Sequence, residues 1–167
     1  DDLIGPGATP EDLGIGKDEI GPPTAEQAAA EPALTPEQQE ERTKALTDKA
    51  ARIADAQGVF STDKAALMKE MKGLSPSEAA ELEKIYGEKN KDVFGNPASL
   101  REDMKDEMDG ENEAAFVDAA LSGDKEAADE QSVKAAASII AEENDAWFNT
   151  DEGQVNELLR MHGEDPA

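Results

Sequence analysis

The chain has 167 residues and a formal charge of −24, from 40 acids against 16 bases. Such a surface repels nucleic-acid phosphates and anionic membrane, and favours a basic partner, a multivalent cation or a salty environment. With no cysteine, disulfides, thiolate metal sites and cysteine nucleophiles are excluded, and no apolar run approaches the ~20 residues needed to span a membrane.

Residues 1–35 read as a Pro/Gly-rich acidic arm or linker that cannot bury enough apolar surface to order itself. Two acids followed by an aliphatic residue and a nearby glycine occur three times: Asp1-Asp2-Leu3-Ile4-Gly5, Glu11-Asp12-Leu13-Gly14 and Asp18-Glu19-Ile20-Gly21. The pattern suits a docking arm whose Leu3, Leu13 and Ile20 enter pockets on a partner; it also suits an ordinary acidic linker.

From Thr35 the pattern turns helical. Thr35-Pro36-Glu37-Gln38 starts a first helix, carrying Leu46, Ala50, Ile53 and Ala54 to about Gln57. Thr62 is expected to cap a second, with Ala66, Leu67, Met71 and Leu74, interrupted at Gly73. Ser75-Pro76-Ser77-Glu78 opens a third with a capping-box pattern, its apolar face Ala79, Leu82, Ile85 and Tyr86. Residues 87–96 are a loop in which Val93 and Phe94 are expected to tuck inward. Asn96-Pro97 is expected to open a fourth helix with Leu100, Met104 and Met108. A fifth carries Phe116, Val117, Ala120 and Leu121. A sixth runs from about Asp124 to Glu143 through Val133, Ala136, Ala137 and Ile140. Thr150 is expected to cap a seventh, with Val155, Leu158 and Leu159. No convincing strand appears. The fold class is all-α, with a predicted core of Phe60, Leu67, Met71, Leu82, Ile85, Leu100, Met104, Phe116 and Leu121.

Val59-Phe60-Ser61-Thr62-Asp63 has a partner 88 residues later in Trp147-Phe148-Asn149-Thr150-Asp151. After each Thr-Asp comes a short apolar helical pattern. One full unit, about 58–124, followed by a second begun at about 147, is the signature of a repeat. The expected domains are the arm at 1–35, a repeat unit with flanking helices at 36–146, and the start of a second, truncated repeat at 147–167. A chain that stops inside a repeat is expected to be a piece of something longer.

Thr62-Asp63, Leu74-Ser75-Pro76-Ser77-Glu78, Tyr86, Phe94-Gly95 and Leu121-Ser122-Gly123-Asp124 fall in the order and spacing of an annexin-type repeat. Ser99 to Gly110 resembles that family's Leu-x-x-Asp-Leu-x-x-Glu-Leu-Ser-Gly segment. The likeness is closer to annexin-like repeats embedded in large bacterial or bacteriophage proteins. It covers Thr62–Leu121 and the partial second unit. The resemblance implies a right-handed bundle of short helices with little function built in. In calcium-binding annexins a Gly-x-Gly-Thr loop and a downstream acid hold Ca²⁺ and bridge to phospholipid, and Glu113 falls on the position of that acid. The loop departs from the pattern: Phe60-Ser61 and Phe148-Asn149 stand where glycines belong, and phenylalanine resists the sharp turn that carbonyl ligation needs. Phe60 and Phe148 read better as core plugs.

Other chemistry finds little support. EF-hand spacing fails around both Gly110 and Gly123. The acidic run from Asp106 to Glu113 reads as a solvated helix end followed by a dipole-favoured helix start. His162 is the one histidine, with no thiol near it in the sequence. The expectation is therefore a non-catalytic structural or protein-interaction segment of a larger protein or assembly, with protein partners and no direct nucleic-acid binding. No cofactor is expected, and Ca²⁺ at Glu113 is the single candidate metal. The alternative is a Ca²⁺-dependent membrane-surface module of annexin type; without Ca²⁺, membrane binding is not expected. Analogy with such repeats favours a virion, or a secreted or injected particle, over the free cytoplasm.

Overall fold

The computed structural model describes residues 31–58, 62–145 and 152–163. Among them the chain forms seven helices: α1 (Pro36–Ala56), α2 (Lys64–Met71), α3 (Pro76–Lys89), α4 (Leu100–Glu107), α5 (Glu111–Ser122), α6 (Lys125–Asp145) and α7 (Glu152–Met161). The fold is all-α. The only sheet-like pairing among the described residues is an isolated antiparallel bridge between Lys91 and Pro97.

Short polar side chains start most of these helices. Thr35 and Gln38 form a reciprocal capping box at α1, and Ser75 and Glu78 form another at α3, each followed by proline at the first helical position. The second helix is capped one residue later than its sequence suggests. The Asp63 carboxylate accepts from the Ala66 N–H at 2.9 Å, while the Thr62 hydroxyl turns away to Glu107. The fourth helix also starts late, at Leu100 under a Ser99 cap, because Pro97 is held in the bridge.

α5 is the hub. Phe116, Val117, Ala119, Ala120 and Leu121 are buried, and the helix packs on α2, α3, α4 and, most extensively, α6. α1 lies across α2 and α3. Four methionines, Met68, Met71, Met104 and Met108, are wholly buried and fill the irregular spaces that an alanine-rich core leaves. Leu67, Leu82 and Leu100 are buried with them, and Ile85 packs against their edge. Leu74 is buried too, but from the turn after α2 rather than from the helix.

α6 buries Ala128, Ser132, Ala135, Ala136 and Ile139. Its inward face is thus rotated from the one that Val133, Ala137 and Ile140 define: Val133 and Ala137 are exposed. The pairing with α5 is made through alanines, and a large aliphatic residue would hold the helices apart. α7 returns to the start of the bundle, packing on α2 and α6. There the buried side chain of Gln154 accepts from the Ala65 N–H at 3.2 Å.

Gly123 ends α5 in the left-handed conformation (φ 75°), with the Asp124 N–H bonded back to the Ala119 carbonyl at 3.3 Å. This turn sits directly on the start of α3. A Cβ at Gly123 would lie 2.3 Å from the Pro76 nitrogen and 2.6 Å from the Ser75 carbonyl carbon. Gly73 has nearly the same φ, 78°, but open space around it. Gly73→Ala should therefore cost only the backbone strain, about 1 kcal/mol, and Gly123→Ala at least about 3 kcal/mol through strain plus backbone overlap. Urea denaturation of the two variants checks this, and equal losses would contradict the contact.

Candidate interaction site at the arm junction

The described chain begins with a carboxylate seated on the helical body. Glu31 lies at the N-terminus of α3, where free backbone N–H groups favour an anion. The Ser77 N–H donates to its Oε1 at 2.8 Å, and the Ser75 hydroxyl donates to Oε2 at 3.0 Å. The Ser77 hydroxyl also donates to Oε2, and the Arg42 guanidinium stands 3.9 Å away. Ser75 does two jobs with one oxygen: it accepts from the Glu78 N–H as the α3 cap and donates to Glu31. Burial pushes the Glu31 carboxyl up, but the Ser77 hydroxyl and N–H, the Ser75 hydroxyl and Arg42 together outweigh it and hold the group below the ordinary carboxylate range.

Beside this seat runs an open groove of about 560 Å³, floored by Leu34, Leu46 and Leu74 and edged by Arg42, Lys49, Lys72 and Lys125. Four of the chain's 16 bases gather here. Three are tied to the body: Arg42 to Glu81 at 3.1 Å, Lys49 to the Glu70 carbonyl at 2.6 Å, and Lys72 to Asp129 at 3.4 Å. The arrangement is chemically suited to acidic peptide with interspersed aliphatic residues.

The candidate ligand Glu113 lies elsewhere, in the first turn of α5, wholly buried. Its Oε2 is 2.9 Å from the Lys64 ammonium, which also reaches Glu142 at 3.1 Å and Asp109 at 3.6 Å. Neither Glu113 oxygen is otherwise hydrogen-bonded. One lysine thus holds the centre of three carboxylates. Among the described residues no group of three or more ligating side chains could hold a metal ion. Burial pushes the Glu113 carboxyl up, and Lys64 only partly offsets it. At Lys64 burial acts downward, but Glu113 and Glu142 together raise its pKa.

A third polar cluster clamps the ends of α1, α3 and α4. The buried Tyr86 hydroxyl donates to Asp103 at 2.8 Å and accepts from the Gln57 side-chain amide at 2.9 Å. Burial and then the Asp103 carboxylate push this phenol up to about 12.

Several residues singled out in the sequence, namely Leu3, Leu13, Ile20, Phe60, Trp147, Phe148 and Thr150, lie outside the described residues. Glu31, Ser77 and Arg42 have no signature in the sequence as a site. The Ser-Pro-Ser-Glu run reads as a helix cap alone, and the carboxylate it holds is 46 residues from Ser77. No family model, curated protein or solved structure matches the chain. The likeness to annexin repeats therefore rests on the quoted residues.

Two predictions follow from the buried groups. Lys64→Met strands Glu113 as a buried charge. It should cost about 3 kcal/mol at neutral pH, the lower end of the usual range because the ammonium is 17% exposed. With its folded pKa raised, Glu113 weakens the fold as pH rises through that pKa. The Lys64→Met penalty should accordingly shrink as pH falls toward 4, where the carboxyl becomes mostly protonated in both states, and Glu113→Gln should be close to neutral at pH 7. Thermal melts of both variants across pH 4–7 check the sign. Tyr86 is the chain's one tyrosine, so phenolate absorbance reports it alone. Unfolded chain should ionise near pH 10 and folded chain near 12, with stability lost between the two.

Proposed function

We propose that this chain is a non-catalytic structural and protein-interaction segment of a larger protein or assembly, docking through its acidic arm and its helical surface. The carrying observation is the seat of Glu31. A carboxylate near the end of the arm is held by three donors at the α3 N-terminus, with the Arg42 guanidinium of α1 3.9 Å away, which ties the arm to the bundle at Glu31. Strong pinning at one end suits an arm that reaches for a partner, since it removes part of the ordering entropy from the docking step. The net charge of −24 supports a partner with basic or apolar pockets rather than nucleic acid. By analogy with annexin-like repeats, and only by it, the parent is a candidate internal or ejected virion protein, or the cargo of an injection machine.

The calcium-dependent membrane reading draws no comparable support. The acid it needs, Glu113, is buried against a lysine ammonium that stands where a cation would.

Changing Leu3, Leu13 and Ile20 together to Ser should lower incorporation of the chain into its parent assembly by at least about tenfold, with the circular dichroism of the helices unchanged. Normal incorporation would sink the arm's role. On the isolated chain, millimolar Ca²⁺ should leave hydrogen exchange around Thr62 and Glu113 unaltered; protection there would restore the membrane reading.

A further inference from the structure

The groove beside the Glu31 seat is already lined in part by the last residues of the arm. Glu31 forms one wall, its carboxylate held by Ser75 and Ser77. Leu34 lies on the apolar floor with Leu46 and Leu74. Leu46 and Leu74 are almost wholly buried, whereas Leu34 is 40% exposed. An acid on a polar seat and an aliphatic residue on a leucine floor is the composition that the arm repeats further out. Its nearest such group is Asp18-Glu19-Ile20-Gly21.

Charge alone does not select an occupant. The lining carries two acids beside its four bases, and both acids are spent: Glu31 in its seat, and Glu78 on the Ser75 N–H at 2.8 Å. Arg42, Lys49 and Lys72 answer Glu81, Glu70 and Asp129. The Asp129 side chain is 65% exposed, so its pairing with Lys72 is weak. Lys125, one turn before Asp129 on α6, makes no ion pair among the described residues, although Asp124 and Glu126 flank it in the chain. The pull on an incoming acid is therefore modest and sits at the Lys72–Lys125 end. Connection selects the occupant instead. Ile20 precedes Glu31 by 11 residues (31 − 20). Such a stretch spans roughly 36 Å extended and about 18 Å as a random coil, so it can loop back from the seat onto the floor. A tether of this length holds its end at about millimolar local concentration, where a shallow apolar contact fills. The groups at Leu13 and Leu3 sit on longer tethers and close with greater loss of entropy. The arm of a second copy is disfavoured, because two bodies of charge −24 repel each other.

We propose that Ile20 of the chain's own arm packs on the floor of this groove against Leu34 and Leu74, with Asp18 and Glu19 toward Lys72 and Lys125. The contact rests on reading residues 1–30 as an arm, and it deepens that reading by giving the arm a closed state. The inner part of the arm folds back on the bundle and leaves Leu3 and Leu13 to a partner. A partner that takes Ile20 must first draw it out of the groove, so docking is set against an intramolecular competitor. The balance between closed and open states is a property of one molecule and does not change with chain concentration.

Nuclear magnetic resonance on the isolated full chain tests this. The chain has no cysteine, so Gly16→Cys carries a single nitroxide near Ile20. Paramagnetic broadening should appear at the Gly73 and Lys125 amides. Ile20→Ser in the same labelled chain should cut those relaxation rates at least about threefold, since burying an isoleucine shifts a two-state balance at least about tenfold. Leu34→Ser, at an exposed position, should cut them as much, and circular dichroism should show both variants folded as wild type. Mixing nitroxide-labelled chain with isotope-labelled chain that carries no nitroxide should give no broadening between molecules. The proposal is overturned if the labelled chain shows no broadening at these amides, or if Ile20→Ser or Leu34→Ser leaves the rates unchanged, because the tether alone then accounts for them. Broadening in the mixture would also overturn it, assigning the groove to the arm of a second copy. No partner is needed, so loss of this contact and loss of assembly are separate results.

Discussion

The packing of α6 onto α5 through small residues is the constraint on which the other contacts depend. Ala119 and Ala120 on one helix, and Ala128, Ala135 and Ala136 on the other, let two backbones approach closely. Alanine buries little area of its own, so stability has to come from the few large side chains placed around that pair. Phe116, Leu121, Leu82, Leu100 and the four buried methionines do this. The turn that joins the two helices is then held by backbone lying on backbone at Ser75 and Pro76, which ties the position of α3, and with it the Glu31 seat, to the α5–α6 pair.

Charge is managed by sharing. With 40 acids and 16 bases, single basic side chains serve several acids, and single acids collect bases at the seams between helices. Lys64 gathers three carboxylates. Glu70 takes both Lys49 and Arg52 from α1, which holds its carboxyl below the ordinary range despite partial burial. Arg101 and Lys105 of α4 converge on Asp118 of α5. Most of these contacts reach water and individually add little. Their value is in setting which helix faces meet while the surplus negative charge stays outward.

The helical architecture was readable because its signals are local. Thr35-Pro36 and Ser75-Pro76-Ser77-Glu78 encode their own caps within four residues. Where the sequence misleads, the physical reasons differ. Thr62 and Asp63 are both good caps, and the choice fell to Asp63 because the Thr62 hydroxyl finds Glu107 45 residues away. On α6 the larger Val133 outweighs Ala135 in any apolar pattern, yet the tight approach of α5 selects alanine. Val93 and Phe94 look like core residues but are 94% and 86% exposed, because Asp92 accepts from the Phe94 and Asn96 N–H groups and ties their turn outward. The Glu31 seat and the Lys64 cluster depend on contacts across tens of residues. No short spacing could announce either.

Most helix contacts here join elements close in sequence; the docking of α7 on α2 does not. Its Gln154 reaches the Ala65 N–H across 89 residues, and Lys69 meets Glu157 across 88. Among the described residues α7 packs chiefly on α2 and α6, where its Leu158 is buried. Mechanical load entering through residue 163 would peel α7 away first, while the α1–α5 contacts stayed closed. The same docking makes α7 the natural place for the bundle to exchange a helix for an equivalent one from a neighbour.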